Sequence, residues 1–329
     1  MRALIVTNLY PTPEQPRLGR FVRDQVDAIR DLGADVEVFR FELGAGAYLP
    51  AARRLRKHLK ESSFDVVHAH YGLCGWVASL AGASPLVVTF HGTDVRHRMV
   101  GPGSRLLSRR IDLAAGASRS IFEREGGRPG LKPRSPVAVL PCGYDPGRFR
   151  PSSRAEARAR LGLDPAGRYL VFPADPERSV KRHDRALEVA RLAEADLLTA
   201  GEVDPERMPD LFNASAAALI TSESEGFGLV ALEALACGVP VLSTPVGIAP
   251  FAVAGTPGCL VERFDAARWA TVARGHLDDD DPRVEPDAVA AAFSAERMAE
   301  RVLAAYRGVV ENDSAAQSER PVRRHRRVE

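Results

Sequence analysis

A chain of 329 residues is too long for one ordinary core, and domains of roughly 100 to 200 residues make two the expectation. Its 45% hydrophobic and 27% charged residues are those of a globular protein, its formal charge of +2 provides no global field for nucleic acid, and no apolar run approaches the ~20 residues of a membrane span. Cys74, Cys142, Cys237 and Cys259 form no CxxC pair and have no histidine at zinc spacing. Neither a disulfide framework nor a structural metal is implied, and a reducing cytoplasm is the expected location.

The opening MRALIVTNLY is followed by a Pro/Glu-rich segment, Pro11 to Pro16, where signal-peptide cleavage would need small residues. It reads as a first strand, Ala3 to Thr7. Further strands are predicted at Val36 to Phe41, Val66 to Ala69, Leu86 to Phe90, Leu113 to Ala117 and Val137 to Leu140, with amphipathic helices between them. In the helix predicted from Arg20 to Leu32, Phe21, Val22, Val26 and Ile29 recur at helical spacing, and Gly33 stands where a left-handed stop is wanted. After Pro141 the text turns rich in Pro, Gly and Arg, which marks a domain boundary before the polar helix Arg154 to Leu161. Strand and helix then alternate again through Tyr169 to Phe172, Leu197, Ala218 to Ile220, Val239 to Leu242 and Cys259 to Val261, and a last helix, Ala295 to Arg307, closes the fold. This is an α/β pattern of parallel sheets with helices on both faces. The expected division is 1–148, 149–292, a closing helix in 293–311 and a disordered basic tail, 312–329.

Thr221 to Pro240, TSESEGFGLVALEALACGVP, is the most informative stretch. A strand ends there, a glycine-containing loop turns, and an apolar helix begins. In open α/β sheets ligands bind beyond the carboxyl ends of strands, and a helix starting there offers unpaired N–H groups and a partial positive charge. A diphosphate suits that place. Gly226 and Gly228 let backbone approach a ligand, and the amides near Leu229 and Val230 are the expected donors. No Walker lysine accompanies the glycines, so this is not a P-loop. Glu225 and Glu233 stand at opposite ends of the loop, each able to accept hydroxyl hydrogen bonds, although two exposed glutamates on a capped core helix would read the same way.

EGFGLVxxE, with seven residues between the glutamates, resembles the donor signature of retaining family 4 glycosyltransferases of the GT-B fold. FDVVHAHYG at Phe64 to Gly72, VVTFHGTDV at Val87 to Val95 and VAVLPCGYDPGRFRP at Val137 to Pro151 resemble the same family in the same order. The resemblance implies two Rossmann-like domains facing each other across a cleft, the first for the acceptor and the second for a nucleotide sugar, with the closing helix able to cross back to the first. It places Glu225 on the transferred sugar, Glu233 on the ribose hydroxyls, and Gly226, Phe227 and Gly228 along sugar and pyrophosphate. It also places His91 on the sugar, Asp94 in support of the neighbouring loop, and acceptor and nucleotide contacts at Gly19 and Arg20, with Leu18 and Phe21 beside them. His68 and His70 are read as alternating across their strand, so that one of them faces the cleft; with no third ligand they do not make a metal pair.

The chain departs from the family after the first strand of its second half, where FPADPERSVKRHD lacks the usual Gly-Arg pair. Arg178 and Lys181 stand in that loop and could supply two charges for a pyrophosphate, Lys181 at the better spacing. In this wording the chain is closer to short teichuronic-acid-type transferases. LLTAGEVDPERMPDLFNAS is shorter than in longer relatives, so base recognition is open. The run Asp278 to Asp281 beside Pro282 reads as a solvated loop and not as a metal site. Arg53, Arg54, Arg56, Lys57 and Lys60 on one helix, and Arg320, Arg323, Arg324, Arg326 and Arg327 in the tail, could touch anionic lipid; solvated surfaces are the default.

The expected activity is therefore metal-independent, cofactor-free transfer of a sugar from a nucleotide-diphosphate donor to a hydroxyl acceptor, with no nucleic-acid partner. A sugar-nucleotide epimerase, a phosphorylase, or an inactive nucleotide-sugar-binding subunit are the alternatives on the same architecture. Oligomeric state is left open.

Overall fold

The computed structural model describes residues 1–124, 127–201, 203–285 and 291–318. They divide into two compact units, one made of Met1–Tyr10, Val26–Leu140 and the chain from Ala299 on, the other of Pro11–Gln25 and Pro141–Met298. Among the described residues no helix is long and apolar enough to cross a membrane.

In the first unit, strands β1 (Arg2–Thr7), β2 (Asp35–Arg40), β3 (Val66–His70), β4 (Leu86–Phe90), β5 (Leu113–Gly116) and β6 (Val137–Val139) form a parallel sheet in the order β2-β1-β3-β4-β5-β6. β3 and β4 are buried along their whole length, because helices cover both faces and leave no solvated side for alternating polar residues. Helices α1 (Arg20–Asp31), α2 (Tyr48–Glu61) and α3 (Gly72–Ala81) supply that cover. Val26 and Ile29 of α1 are fully buried, and Gly33 takes the left-handed conformation at φ 85° that ends this helix. Leu4, Leu55, Val77, Val88, Phe90 and Leu107 belong to one core cluster.

The second unit holds β7 (Tyr169–Phe172), β8 (Asp196–Thr199), β9 (Ala217–Ile220), β10 (Val241–Ser243) and β11 (Leu260–Val261), all parallel, in the order β11-β10-β9-β7-β8. Counted from its own first strand this is the 2-1-3-4-5 order that the first unit also follows. Strand order reverses between β1 and β3 in one sheet and between β7 and β9 in the other. At such a point the connections leave in opposite directions and the two strand ends open a crevice.

The predicted strands all occur, with ends displaced by a few residues. Two larger differences have physical causes. The polar stretch after Pro141 is bonded into the second unit: Tyr144 N–H donates to Phe293 O (3.0 Å), Ala295 N–H to Tyr144 O (2.7 Å), and Asn213 Nδ2 to Arg150 O (3.1 Å). The closing helix runs Ala295–Ser318, through residues 312–318 of the expected disordered tail, since extending a formed helix adds a hydrogen bond per residue without a new nucleus. Residues 319–329, which carry the basic cluster of that tail, lie outside the described residues.

Gly143 sits where the chain after Pro141 meets the start of the closing helix, and a Cβ there would stand 2.7 Å from Ser294 O and 2.8 Å from Ala295 Cα. Backbone atoms cannot rotate away, so Gly143→Ala should destabilise by about 1–3 kcal/mol. Gly275, inside helix α11 (Ala266–Leu277) with open space around its Cβ position, should by contrast gain roughly 0.5–1 kcal/mol as Ala. Thermal unfolding of the two variants should show shifts of opposite sign.

Candidate active site

At the switch point of the second unit, the loop after β7 and the loop after β9 deliver opposite charges to one place. The first ends in a short 3-10 turn, Ser179–Lys181, and the second carries Glu225. Lys181 Nζ lies 2.6 Å from both Oε1 and Oε2 of Glu225, and Ser222 Oγ donates to Oε1 at 2.7 Å. The two side chains are only 12% and 8% exposed, so neither charge is held mainly by water. Removal of one partner from such a pair strands the other in a poorly solvated place. Arg178 stands at the entry of the turn and is exposed; it is Lys181 that reaches the carboxylate.

Gly228, at φ 86° and ψ 41°, is the N-cap of α9 (Leu229–Ala236), a left-handed geometry that favours glycine. Leu229 and Val230 precede the first bond of this turn, donated by Ala231 N–H to Gly228 O at 3.1 Å, so their amides open the helix. The apolar text LVALEALA roots the helix through buried Ala231, Leu232, Ala234 and Leu235. Phe227 is buried, and its carbonyl accepts from Ile248 N–H at 2.7 Å, which fastens the turn of Gly226 to Gly228 against the loop after β10.

Glu233, one turn and more along α9, is 8% exposed. Burial raises its pKa to about 7, the nearby Arg148 guanidinium lowers it, and Asp24 adds to the rise. Arg148 Nη2 stands 3.9 Å from Glu233 Oε1 and 3.9 Å from Asp24 Oδ2; Arg20 Nε donates to Asp24 Oδ1 at 2.8 Å, and Arg20 Nη1 pairs with Glu206 Oε1 at 2.7 Å. The expected Arg20 and Glu233 are thus joined through Asp24 and Arg148, neither of which the sequence reading singled out. Arg148 carried one available signal, a guanidinium next to buried Phe149 in the GRF of the interdomain segment. Gly19, at φ 66°, accepts from Val22 N–H at 2.9 Å and starts α1. Arg20 also lines a cavity of about 400 Å³ with Pro11, Pro16, Arg23, Asp204 and Glu206.

The first unit holds His91 and Asp94. Asp94 is 7% exposed and accepts from His91 N–H (3.0 Å) through one oxygen and from Gly72 N–H (2.9 Å) through the other. It ties the loop after β4 to the start of α3. Burial lifts its carboxyl to about 6 despite those two donors. The expectation that His68 and His70 point to opposite faces is overturned, because residues two apart in a strand share a face. Their rings lie 4.5 Å apart between centroids, and His70 Nδ1 is 3.2 Å from His91 Nε2. His68 bonds Tyr306 OH of the closing helix through Nδ1 and Thr89 Oγ1 through Nε2, both at 2.7 Å. Burial drives His70 down to about 3 and His68 and His91 well below the usual imidazole range, so all three are neutral near pH 7. Among the described residues no group of three or more His, Cys, Asp or Glu is placed to hold a metal.

The structure therefore gathers Lys181, Glu225 and the Gly226–Val230 turn, links Arg20 with Glu233 in the same unit, and sets His91 with Asp94 in the first unit. A cavity of about 500 Å³ beside Leu113, Val137, Ala305 and Val309 contains none of them.

Two parallel sheets of 2-1-3-4-5 order, one with a charged switch point at a helix N-terminus, define the GT-B class of glycosyltransferase fold. Sucrose-phosphate synthase from Thermosynechococcus elongatus superposes with a TM-score of 0.67 at 18% identity, covering 97% of this chain and 98% of the other, and Anabaena HepE with UDP and glucose gives 0.64 at 17%, covering 96% and 100%. Residues 35–148 match the description "Glycosyltransferase Family 4" and residues 169–279 "Glycosyl transferases group 1". D-inositol 3-phosphate glycosyltransferase 1 of Catenulispora acidiphila is 32% identical over 75% of this chain and 73% of its own length, and the Frankia alni enzyme is 32% identical over 80% and 77%. The chain belongs to glycosyltransferase family 4, and it is a transferase.

Glu233 makes stability depend on pH. Its folded carboxyl binds a proton up to about pH 7, whereas the unfolded one releases it near 4.5. Between those values the folded state holds more protons, so this contribution is complete below pH 4.5 and is lost as pH rises through 7. Glu233→Gln, which stays neutral, should unfold with a shallower loss of stability from pH 5 to 8, the gap to wild type reaching on the order of 1–3 kcal/mol at pH 8. Urea unfolding at three pH values checks this; parallel curves for the two proteins would contradict the burial assigned to Glu233.

Proposed function

We propose that the protein is a retaining, metal-independent glycosyltransferase that moves a sugar from a nucleoside diphosphate sugar to a hydroxyl acceptor in the cytoplasm, with no cofactor. The observation that carries this reading is the Lys181–Glu225 pair at the mouth of α9. A phosphate with one ester bond fits an ammonium beside helix amides, and sugar hydroxyls fit the carboxylate 2.6 Å from that ammonium. In this reading Leu229 and Val230 amides and Lys181, with Arg178 from the same loop, take the pyrophosphate. Glu225 accepts from the transferred sugar, Gly226, Phe227 and Gly228 line it, and Glu233 accepts from the ribose. On the family resemblance His91 is assigned to the sugar, Asp94 to holding its loop, and Gly19 and Arg20 to nucleotide or acceptor.

In the proposed step the bond from C1 to the phosphate oxygen breaks, the acceptor oxygen bonds C1 on the same face, and its proton passes to the leaving phosphate. Lys181 and the helix amides stabilise the charge that grows on that phosphate. HepE binds UDP and glucose in its structure, and the relatives are named for D-inositol 3-phosphate. UDP-sugars as donors, and D-inositol 3-phosphate or, from the teichuronic-type resemblance, a lipid-linked or polymeric glycan hydroxyl as acceptors, are the first to assay.

A screen of UDP-, GDP- and ADP-sugars should reveal donor turnover that survives EDTA and yields product of unchanged anomeric configuration by NMR. Glu225→Gln should lower kcat/KM by roughly 100-fold or more, and Lys181→Ala by about 10- to 100-fold. Full activity of Glu225→Gln would overturn the site. Isomerised donor without acceptor would indicate an epimerase, and dependence on inorganic phosphate a phosphorylase.

Peripheral contact with anionic membrane belongs to the same proposal. Arg53, Arg54, Arg56, Lys57 and Lys60 are all exposed on α2, while Ala51, Ala52 and Leu55 root it in the core. Sedimentation with phosphatidylglycerol vesicles should fall when Arg53 and Arg56 are both changed to Glu, and should vanish near 0.5 M salt, roughly, where screening is short-ranged. Binding indifferent to both would remove this part.

A further inference from the structure

We propose that Thr221 is a positioning residue for Lys181: its hydroxyl hooks the backbone of the Lys181 turn onto the end of β9, so that the ammonium meets Glu225. This rests on the reading that Lys181 serves the donor phosphate. Thr221 directly follows β9 and is fully buried. Its Oγ1 lies 2.9 Å from Lys181 O and 2.8 Å from Arg182 O. Valine would fill the same volume and, being β-branched, suit the same backbone. The hydroxyl is thus the informative part of the residue, and both its acceptors lie in the lysine's turn.

Three other observations show that the turn is held from several sides. Glu223 N–H donates to Val180 O at 2.9 Å. Arg182 has φ 54° and ψ 56°, a left-handed conformation that non-glycine residues rarely keep unless their surroundings enforce it. Its guanidinium is fixed at 2.7 Å to Glu223 Oε1 and at 2.9 and 2.7 Å to the two oxygens of Asp184, and its carbonyl is one of the two that Thr221 holds. The left-handed residue ends the 3-10 turn and starts α7 (His183–Ala193) at once, which leaves Lys181 at the apex. Thr221 and Glu223 stand on the same loop as Glu225. The loop that presents the carboxylate therefore also grips the loop that presents the ammonium.

The chain contains four lysines, Lys57, Lys60, Lys132 and Lys181, which allows a test that needs no substrate. An ammonium bonded to both oxygens of a carboxylate must leave them before its nitrogen can be acylated. Treatment with N-hydroxysulfosuccinimidyl acetate, followed by peptide mass spectrometry, should label Lys181 of Thr221→Val at least about fivefold faster than in wild type, approaching Glu225→Gln, with the other three lysines unchanged as internal references. Thr221→Ser should stay within about twofold of wild type. With the sugar nucleotide that wild type turns over best, Thr221→Val should raise donor KM about tenfold, Ser should restore it, and Thr221→Val should add nothing once Lys181 is Ala.

Wild-type labelling of Lys181 in a folded Thr221→Val protein, or a loss that adds in full to that of Lys181→Ala, would overturn the proposal. If Lys181→Ala leaves donor KM unchanged, the donor role of Lys181 fails, while the labelling rates still decide whether Thr221 holds it. Should the Val variant not fold, Thr221→Ala is read in the same way.

Discussion

The reversal of strand order between β7 and β9 is the constraint on which the site depends. Had the strands followed one another in sequence order, the loops after them would not flank one crevice. Because β8 lies on the far side of β7, the connections leave in opposite directions and the ends of β7 and β9 stand side by side, bonded in register from Leu170 to Ala217 and from Val171 to Ala218. Lys181 and Glu225, 44 residues apart, are the consequence. The helix that starts at Gly228 then adds its amides on the same side, since the chain leaves every strand of a parallel sheet at its carboxyl edge and the next helix begins there.

Much of this was legible in the sequence, for reasons that particular residues show. Strands buried on both faces, such as LVVTF at Leu86–Phe90, admit a polar side chain only where it finds a buried partner, as Thr89 does in His68, so they stand out as near-continuous apolar runs. The glycines of EGFG and the helix behind them mark a ligand turn in the same way. What escaped the reading is long-range. Nothing local to Arg148 indicates that it stands between Asp24, 124 residues before it, and Glu233, 85 residues after it. The histidines of HAH, two apart in β3, share one face, and Tyr306, which receives His68, lies 238 residues further on. Thr221 looked like an unremarked residue at a strand end because a hydroxyl buried against backbone carbonyls has no signature in composition.

The two units deal with buried polar groups in different ways. In the first, burial leaves the imidazoles of His68, His70 and His91 neutral, while the Asp94 carboxyl, raised to about 6 and so still mostly ionised at pH 7, is satisfied by the amides of Gly72 and His91. The hydrogen bonds that join the three imidazoles to one another, to Tyr306 and to Thr89 run between neutral partners, and they order rings instead of balancing ions. In the second, Lys181 and Glu225 sit in a place almost as enclosed yet face each other at 2.6 Å with a serine hydroxyl on the carboxylate. A neutral, ordered lining suits contact with an uncharged sugar; a preformed ion pair suits a ligand that is itself part anion and part polyol.

On the proposed function, that ion pair should favour an intact donor over either of its halves. With nothing bound, each charge satisfies the other. A phosphate that draws Lys181 away leaves the Glu225 carboxylate with the Ser222 hydroxyl and little else, in a site where an unpaired charge is costly. A free sugar that engages Glu225 leaves Lys181 in the same position. Only a ligand that carries both a phosphate and adjacent hydroxyls compensates both groups when it separates them. Affinity for the whole donor should then exceed what its halves suggest, because each half must break the pair alone and the joined molecule breaks it once. The rigid stitching of the two loops through Thr221, Glu223 and Arg182 strengthens this argument, since loops free to drift apart would let either half bind without opposing the other charge.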